Sequence, residues 1–251
     1  MRARALIGLS NVHWFQGRHV DAGACAAEAL SWGRAHSDAW VVSFALFMQA
    51  TAAFERGDRD EAEARAQEAI DMAIASGQDV LHGPPLLVLG NLAASNGEHA
   101  RAQQLYDESI EMLRRAGELW GMSIVLLLAA GLRIVGRDYT RARVQASVAL
   151  SLCQEFEDPR GIAWSLEVFA DLLAAGGLAD GAARLWGASE RQLENIGGSL
   201  APSIGWVRQR YLEPVQASLG APSFDAARTH GRAMGSAEAI ALARQQILLL
   251  R

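Results

Sequence analysis

Shifting the sequence by 40 residues against itself brings five copies of one pattern into register without an insertion, and no other feature limits the fold as strongly. One column reads Leu6, Leu46, Leu86, Leu126 and Leu166, and four residues on another reads Ser10, Ala50, Gly90, Ala130 and Ala170. A third column is Gly17, Gly57, Gly97, Arg137 and Gly177, followed five positions later by Ala22, Ala62, Ala102, Ala142 and Ala182. Small residues recur at Ala29, Ala69, Ser109, Ala149 and Ser189, and each unit ends at Ser37, Gly77, Gly117, Glu157 or Gly197.

Each column has a mechanical meaning. A leucine and a small residue four positions apart share a helical face, where one fills the core and the other admits a neighbouring helix. The glycine that follows accepts a positive φ without steric cost, so it ends one helix and opens a turn. The alanine and the later small residue then mark the inner face of a returning helix. The closing residue ends that helix in turn, with an acid next to it at Asp38, Glu118 and Asp158 and a further acid at Asp79. The first helices are therefore expected near 2–16, 39–56, 82–96, 119–136 and 160–176, and the returning ones near 19–35, 59–76, 99–116, 139–156 and 179–195. Gly83, Pro84 and Pro85 are expected to delay or distort the third unit, because a residue before proline avoids helical ψ.

The pattern carried by Leu86, Leu89, Gly90, Gly97, Ala102 and Tyr106 resembles the tetratricopeptide family over residues 3 to about 198. Two features depart from that family. Its short unit is 34 residues, and the aromatic of its returning helix appears here only as Tyr106 and Trp186, with Ala26, Ala66 and Ala146 in the other copies. The resemblance implies an all-α, right-handed α-α superhelix of five hairpins over 1–198, used for binding rather than catalysis.

Residues 199–251 leave the 40-residue register and are expected to form a helical cap, since a terminal unit must present a polar outer face. Three helices are expected there, Ser203 to Leu219 with a kink at Pro214, Ser223 to Met234 and Ser236 to Leu249, with serines as N-caps. The run Ala183 to Glu190, then Phe224 to Ala227, Gly231 to Met234 and Ala237 to Ile240, is similar to the C-terminal sensor region of actinobacterial LuxR-type and SARP-type regulators. Those regulators are built on a STAND nucleotide switch and are related in plan to the maltose-regulon activator. The resemblance implies a sensor module of a transcriptional regulator; the Walker A loop and the helix-turn-helix of such regulators do not occur in this sequence, so a fragment of such a protein or a stand-alone relative is expected, and the fragment is favoured because Met1 falls at the edge of a repeat. A free-standing adaptor that holds peptide or protein segments is the alternative.

Composition removes several chemistries. All 23 basic residues are arginine, which excludes a P-loop lysine, a pyridoxal Schiff base and a kinase phosphate lysine. A net charge of −5, with arginines dispersed among acids, argues against direct nucleic-acid contact. The richest apolar stretch, Ile124 to Ala130, is far shorter than the roughly 20 residues of a membrane span. With no signal-like N-terminus, a cytoplasmic location is expected. Cys25 and Cys153 lie three hairpins apart and are expected as reduced thiols. The six histidines, His13, His19, His36, His82, His99 and His230, lack metal-ligand spacing, no nucleophile elbow occurs, and neither a metal, a cofactor nor a catalytic set is expected. Carboxylate pairs such as Glu61 with Glu63, or Glu108 with Glu111, read as surface charge.

The remaining candidates lie on the wall formed by the first helix of each hairpin, the surface that helical repeats use for binding. In this register it collects Asn11 and Trp14; Trp40, Phe44, Phe47 and Thr51; Leu87 and Asn91; Trp120, Ile124 and Leu127; and Trp164, Glu167 and Asp171. Aromatics there can stack on a sugar, a flat metabolite or a peptide side chain, while Asn11, Thr51 and Asn91 orient it. The alternative is that the aromatics only pack between hairpins. Expected partners are peptide or protein segments, with a small-molecule effector and self-association as further expectations.

Overall fold

The computed structural model of the chain describes residues 1–77, 81 and 83–250. The acid expected at Asp79 and the histidine His82 lie outside those residues. Among the described residues there are thirteen α-helices and no strand. In chain order they are α1 (Arg2–Phe15), α2 (His19–Ala35), α3 (Ala39–Arg56), α4 (Arg59–Ser76), α5 (Gly83–Ser95), α6 (His99–Ala116), α7 (Leu119–Val135), α8 (Tyr139–Glu155), α9 (Pro159–Ala175), α10 (Ala179–Asn195), α11 (Pro202–Leu219), α12 (Ala221–Ala233) and α13 (Ser236–Gln246), with a closing 3-10 turn over Ile247–Leu249. None of these helices is long and apolar enough to cross a membrane.

The repeat columns become geometry. Apart from Gly220, every described residue with a positive φ belongs to the two turn columns: Gly17, Gly57, Gly97, Arg137 and Gly177 between paired helices, and Ser37, Gly77, Gly117, Glu157 and Gly197 between pairs. Arg137, Ser37 and Glu157 take φ of 62°, 52° and 50°, so the turn is imposed even where no glycine is present. The alanines at 22, 62, 102, 142 and 182 are all wholly buried, which explains why nothing larger occupies that column. Asp38 and Asp158 act as N-caps, accepting from Val41 N at 3.1 Å and Arg160 N at 3.0 Å. The third unit's first helix starts at Gly83 and tolerates Pro84 and Pro85 in its first turn, where no intrahelical N–H bond is needed.

Packing divides the chain into two compact units, Met1–Val125 and Leu126–Arg251, with the division inside α7. The change of register at 198 is thus not a division of packing, because α11, α12 and α13 pack on α9 and α10 of the second unit. In the first unit α1 to α6 pair as three hairpins, the first two packed around Ile7, Leu30, Val41, Leu46 and a run of alanines. In the second unit α12 crosses α10 where Gly187 meets Gly231. A Cβ at Gly231 would stand 1.8 Å from the carbonyl oxygen of Arg184, and one at Gly187 2.1 Å from that of Arg228. Two glycines let the helix backbones touch.

The expected serine caps are corrected by the structure. The N-cap positions of α11, α12 and α13 are Ala201, Gly220 and Gly235, none with a side-chain cap bond, and Pro202 and Pro222 fill the first turns of α11 and α12. Proline in the first turn supplies the helical φ and gives up only an N–H that has no intrahelical acceptor, so the helices start ahead of Ser203 and Ser223. α11 runs through Pro214 to Leu219.

Candidate functional site

In the first unit, the first-helix wall closes around a cavity of about 180 Å³. Trp40, Phe44 and Phe47 of α3, Pro84 and Leu87 of α5, and Trp120, Gly121, Ile124 and Val125 of α7 line it, with Leu81, Leu113 and Glu118 completing the rim. Trp40, Phe44, Phe47, Trp120 and Ile124 are all half-buried and so present apolar area to a ligand. Phe44 holds Trp40 on one side, with centroids 4.5 Å apart, and meets Phe47 edge-on at 6.5 Å. The Arg4 guanidinium stands 4.8 Å from the Trp40 ring. The spacing that creates this wall is helical: 40, 44 and 47 face one way on α3, and the 40-residue shift puts 84, 87, 120 and 124 on the same face of the next two first helices.

The polar residues expected to orient a ligand are used internally. Thr51 is buried and its Oγ1 donates to the Phe47 carbonyl at 3.0 Å. Asn91 is buried and its Oδ1 accepts from the Tyr106 hydroxyl at 2.6 Å. That tyrosine packs against Gly90, where a Cβ would come within 2.4 Å of the ring, and burial pushes its phenol well above the ordinary range, so it remains a neutral donor. Asn11 and Trp14 are half-buried in the first hairpin and line no part of the cavity, Trp14 packing against the first unit's core.

Trp164, Glu167 and Asp171, expected on the open wall, are sealed inside the second unit, with 1%, 0% and 0% of their surface exposed. Their partners come from the segment that follows the repeats. Arg208 of α11 donates to both Glu167 oxygens, at 2.6 and 2.5 Å, and to Glu190 of α10 at 2.7 Å. Glu190 also accepts from Arg228 and Arg232 of α12, and Arg232 continues to Glu194 at 2.7 Å. Three guanidiniums thus meet three glutamates. Asp171 is the remaining acid: its Oδ1 accepts from Trp186 Nε1 at 3.0 Å, and its Oδ2 has no hydrogen-bond partner. Burial first, and the nearby Glu167 charge second, push the Asp171 carboxyl well above the usual carboxylate range. Burial also raises Glu167, an effect that the bidentate Arg208 opposes without reversing, so Asp171 is the more strongly raised of the two acids.

Trp186 and Tyr106 occupy the same repeat column, and so do their acceptors Asp171 and Asn91. The two copies with a polar-edged aromatic on the returning helix are the two whose facing residue accepts from it; the pairing is written in the alignment. The cavity residues Leu81, Leu113 and Glu118, by contrast, fall outside the first-helix faces; Glu118 belongs to the acid column of Asp38 and Asp158, which reads as helix capping and does not point to a cavity. Arg208 lies beyond the register and carries no periodic signal. Cys25 is half-buried and Cys153 buried, and the two are not joined to each other. Among the described residues no group of three or more histidine, cysteine, aspartate or glutamate side chains is placed to hold a metal.

No protein-family model matches the chain, and no curated protein sequence matches it significantly. Solved structures do. The chain is similar to BtubC (BKLC) from P. vanneervenii, with a TM-score of 0.55 and 19% identity over 76% of this chain and 80% of that one. It is similar to a Rap protein complexed with competence and sporulation factor, TM-score 0.58 at 12% identity, over 88% of this chain and 65% of the other. Aspartyl phosphate phosphatase F from Bacillus subtilis matches with a TM-score of 0.55 at 14% identity, over 99% of this chain and 59% of its own. The fold is a tetratricopeptide-like helical repeat.

Proposed function

We propose that the chain is a non-catalytic binding module whose contact site is the aromatic cavity of the first unit, and that it serves as the sensor module of a transcriptional regulator. The observation that carries the binding reading is the clustering of half-exposed Trp40, Phe44, Phe47, Trp120 and Ile124 around one cavity, because a soluble chain gains nothing by leaving such area in contact with water. The likeness to a Rap protein solved with competence and sporulation factor supports a peptide or protein segment as the occupant. The LuxR-type and SARP-type resemblance of Ala183 to Glu190 and of the segments after Phe224 supports the regulatory setting. A ligand acts there only through unequal affinity for two arrangements of the regulator.

Selection of a displayed peptide library on the immobilised chain tests the binding reading. Enriched peptides are expected to lose binding to a Trp40→Ala, Trp120→Ala double variant that keeps its helical circular dichroism. Absence of enrichment, or enrichment indifferent to both substitutions, would sink it.

A further inference from the structure

We infer that the cavity of the first unit takes an arginine side chain from a peptide or protein segment, its guanidinium lying against the aromatic lining and pairing with Glu118. This inference rests on the binding reading above and specifies the chemistry of the occupant. Glu118 is the one ionisable residue among the described lining residues, and everything else there is aromatic, aliphatic or glycine. The two glutamates nearest it in sequence with ion pairs are engaged elsewhere: Glu98 with Arg101 at 3.0 Å, and Glu111 with both Arg114 and Arg115. No ion pair or side-chain hydrogen bond reaches the Glu118 carboxylate among the described residues. An anionic ligand would meet that carboxylate without any compensating cation in the lining. A purely apolar one would make no use of that carboxylate. An organic cation satisfies both the π faces and the acid.

Guanidinium is favoured over ammonium because its planar, weakly hydrated face stacks on an aromatic ring while its N–H fork pairs with a carboxylate. The chain shows the stacking geometry itself, with Arg4 over Trp40, Arg160 over Trp164 at 5.2 Å and Arg208 over Trp186 at 5.3 Å. The volume of about 180 Å³ is below that of drug-sized pockets, so one side chain fills it, and its backbone stays outside.

Blocked pentapeptides Ser-Gly-Xaa-Gly-Ser, with arginine, its uncharged isostere citrulline, or leucine in the centre, are titrated into the intact chain and followed by calorimetry and tryptophan emission. Arginine is expected to bind at least fivefold more tightly than citrulline or leucine, and Glu118→Gln, an exposed substitution, is expected to erase that preference. If leucine binds as well as arginine, Glu118→Gln changes nothing and Trp120→Ala weakens all three, the cation assignment is overturned while cavity binding stands. If free arginine amide matches the peptide, the peptide-borne source is overturned. If none of the three binds at millimolar concentration, the binding reading falls with it.

Discussion

Replacing Arg208 with methionine isolates the energetics of the second unit's buried acids. The side chain is 18% exposed and neutralises Glu167, which is 0% exposed, through two hydrogen bonds. Methionine keeps most of the volume and removes the charge. Glu167 then has two options, an unpaired charge in the interior or a proton. The first is costly, about 3–5 kcal/mol for a broken buried pair. The second, from an ordinary glutamate pKa near 4.3, costs about 1.4 kcal/mol per pH unit, or roughly 3.7 kcal/mol at pH 7 and about 1 kcal/mol at pH 5. Protonation therefore caps the penalty. In the variant the folded pKa of Glu167 lies above the unfolded value, so the folded state binds the extra proton and stability falls as pH rises above about 4.3. Urea unfolding of Arg208→Met and the native chain, followed by circular dichroism at pH 5, 6 and 7, should show a destabilisation near 4 kcal/mol at pH 7 that shrinks to about 1–2 kcal/mol at pH 5. Adding Glu167→Gln should flatten that dependence. A penalty below about 1 kcal/mol, or one independent of pH, would refute the assignment of a buried ion pair.

Three further outcomes follow from the same geometry. Asp171→Asn retains the acceptor for Trp186 and removes a carboxyl whose pKa is raised by burial; because that raised pKa makes native stability fall as pH climbs above the ordinary aspartate value, the variant should be the more stable at pH 8, by about 1 kcal/mol or more, in the same unfolding assay. Arg137→Gly relieves a φ of 62° and should add about 1 kcal/mol, read as a rise in the thermal midpoint. Gly231→Ala places a methyl 1.8 Å from the Arg184 carbonyl, so α12 must lift from α10, at a cost of about 3 kcal/mol and with faster amide exchange along α12.

The hairpins were legible because their determinants are local and repeated. A positive-φ turn, a wholly buried alanine column and a leucine face each recur at one spacing, and the helix ends fall within a residue or so of their expected positions. The convergence of the candidate site's aromatics was legible for the same reason: Trp40, Phe44, Phe47, Trp120 and Ile124 line one cavity because equivalent helical faces stack. What periodicity does not encode is depth. Asn91, Glu167 and Asp171 occupy wall positions by register, yet Tyr106, Trp186 and Arg208 cover them, and Arg208 arrives from a segment with no repeat to align. Cap chemistry failed in a similar way, since Pro202 and Pro222 took the first turns and displaced the serines inward.

Calorimetric titration of a selected peptide into the native chain and single variants tests the aromatic cavity most directly. Trp120→Ala should weaken binding at least tenfold, about 1.4 kcal/mol, as expected of an anchoring contact, whereas Trp32→Ala, on α2 and stacked on His36 at 3.9 Å, should leave it unchanged. Equal affinities for the native chain and Trp120→Ala would contradict the account.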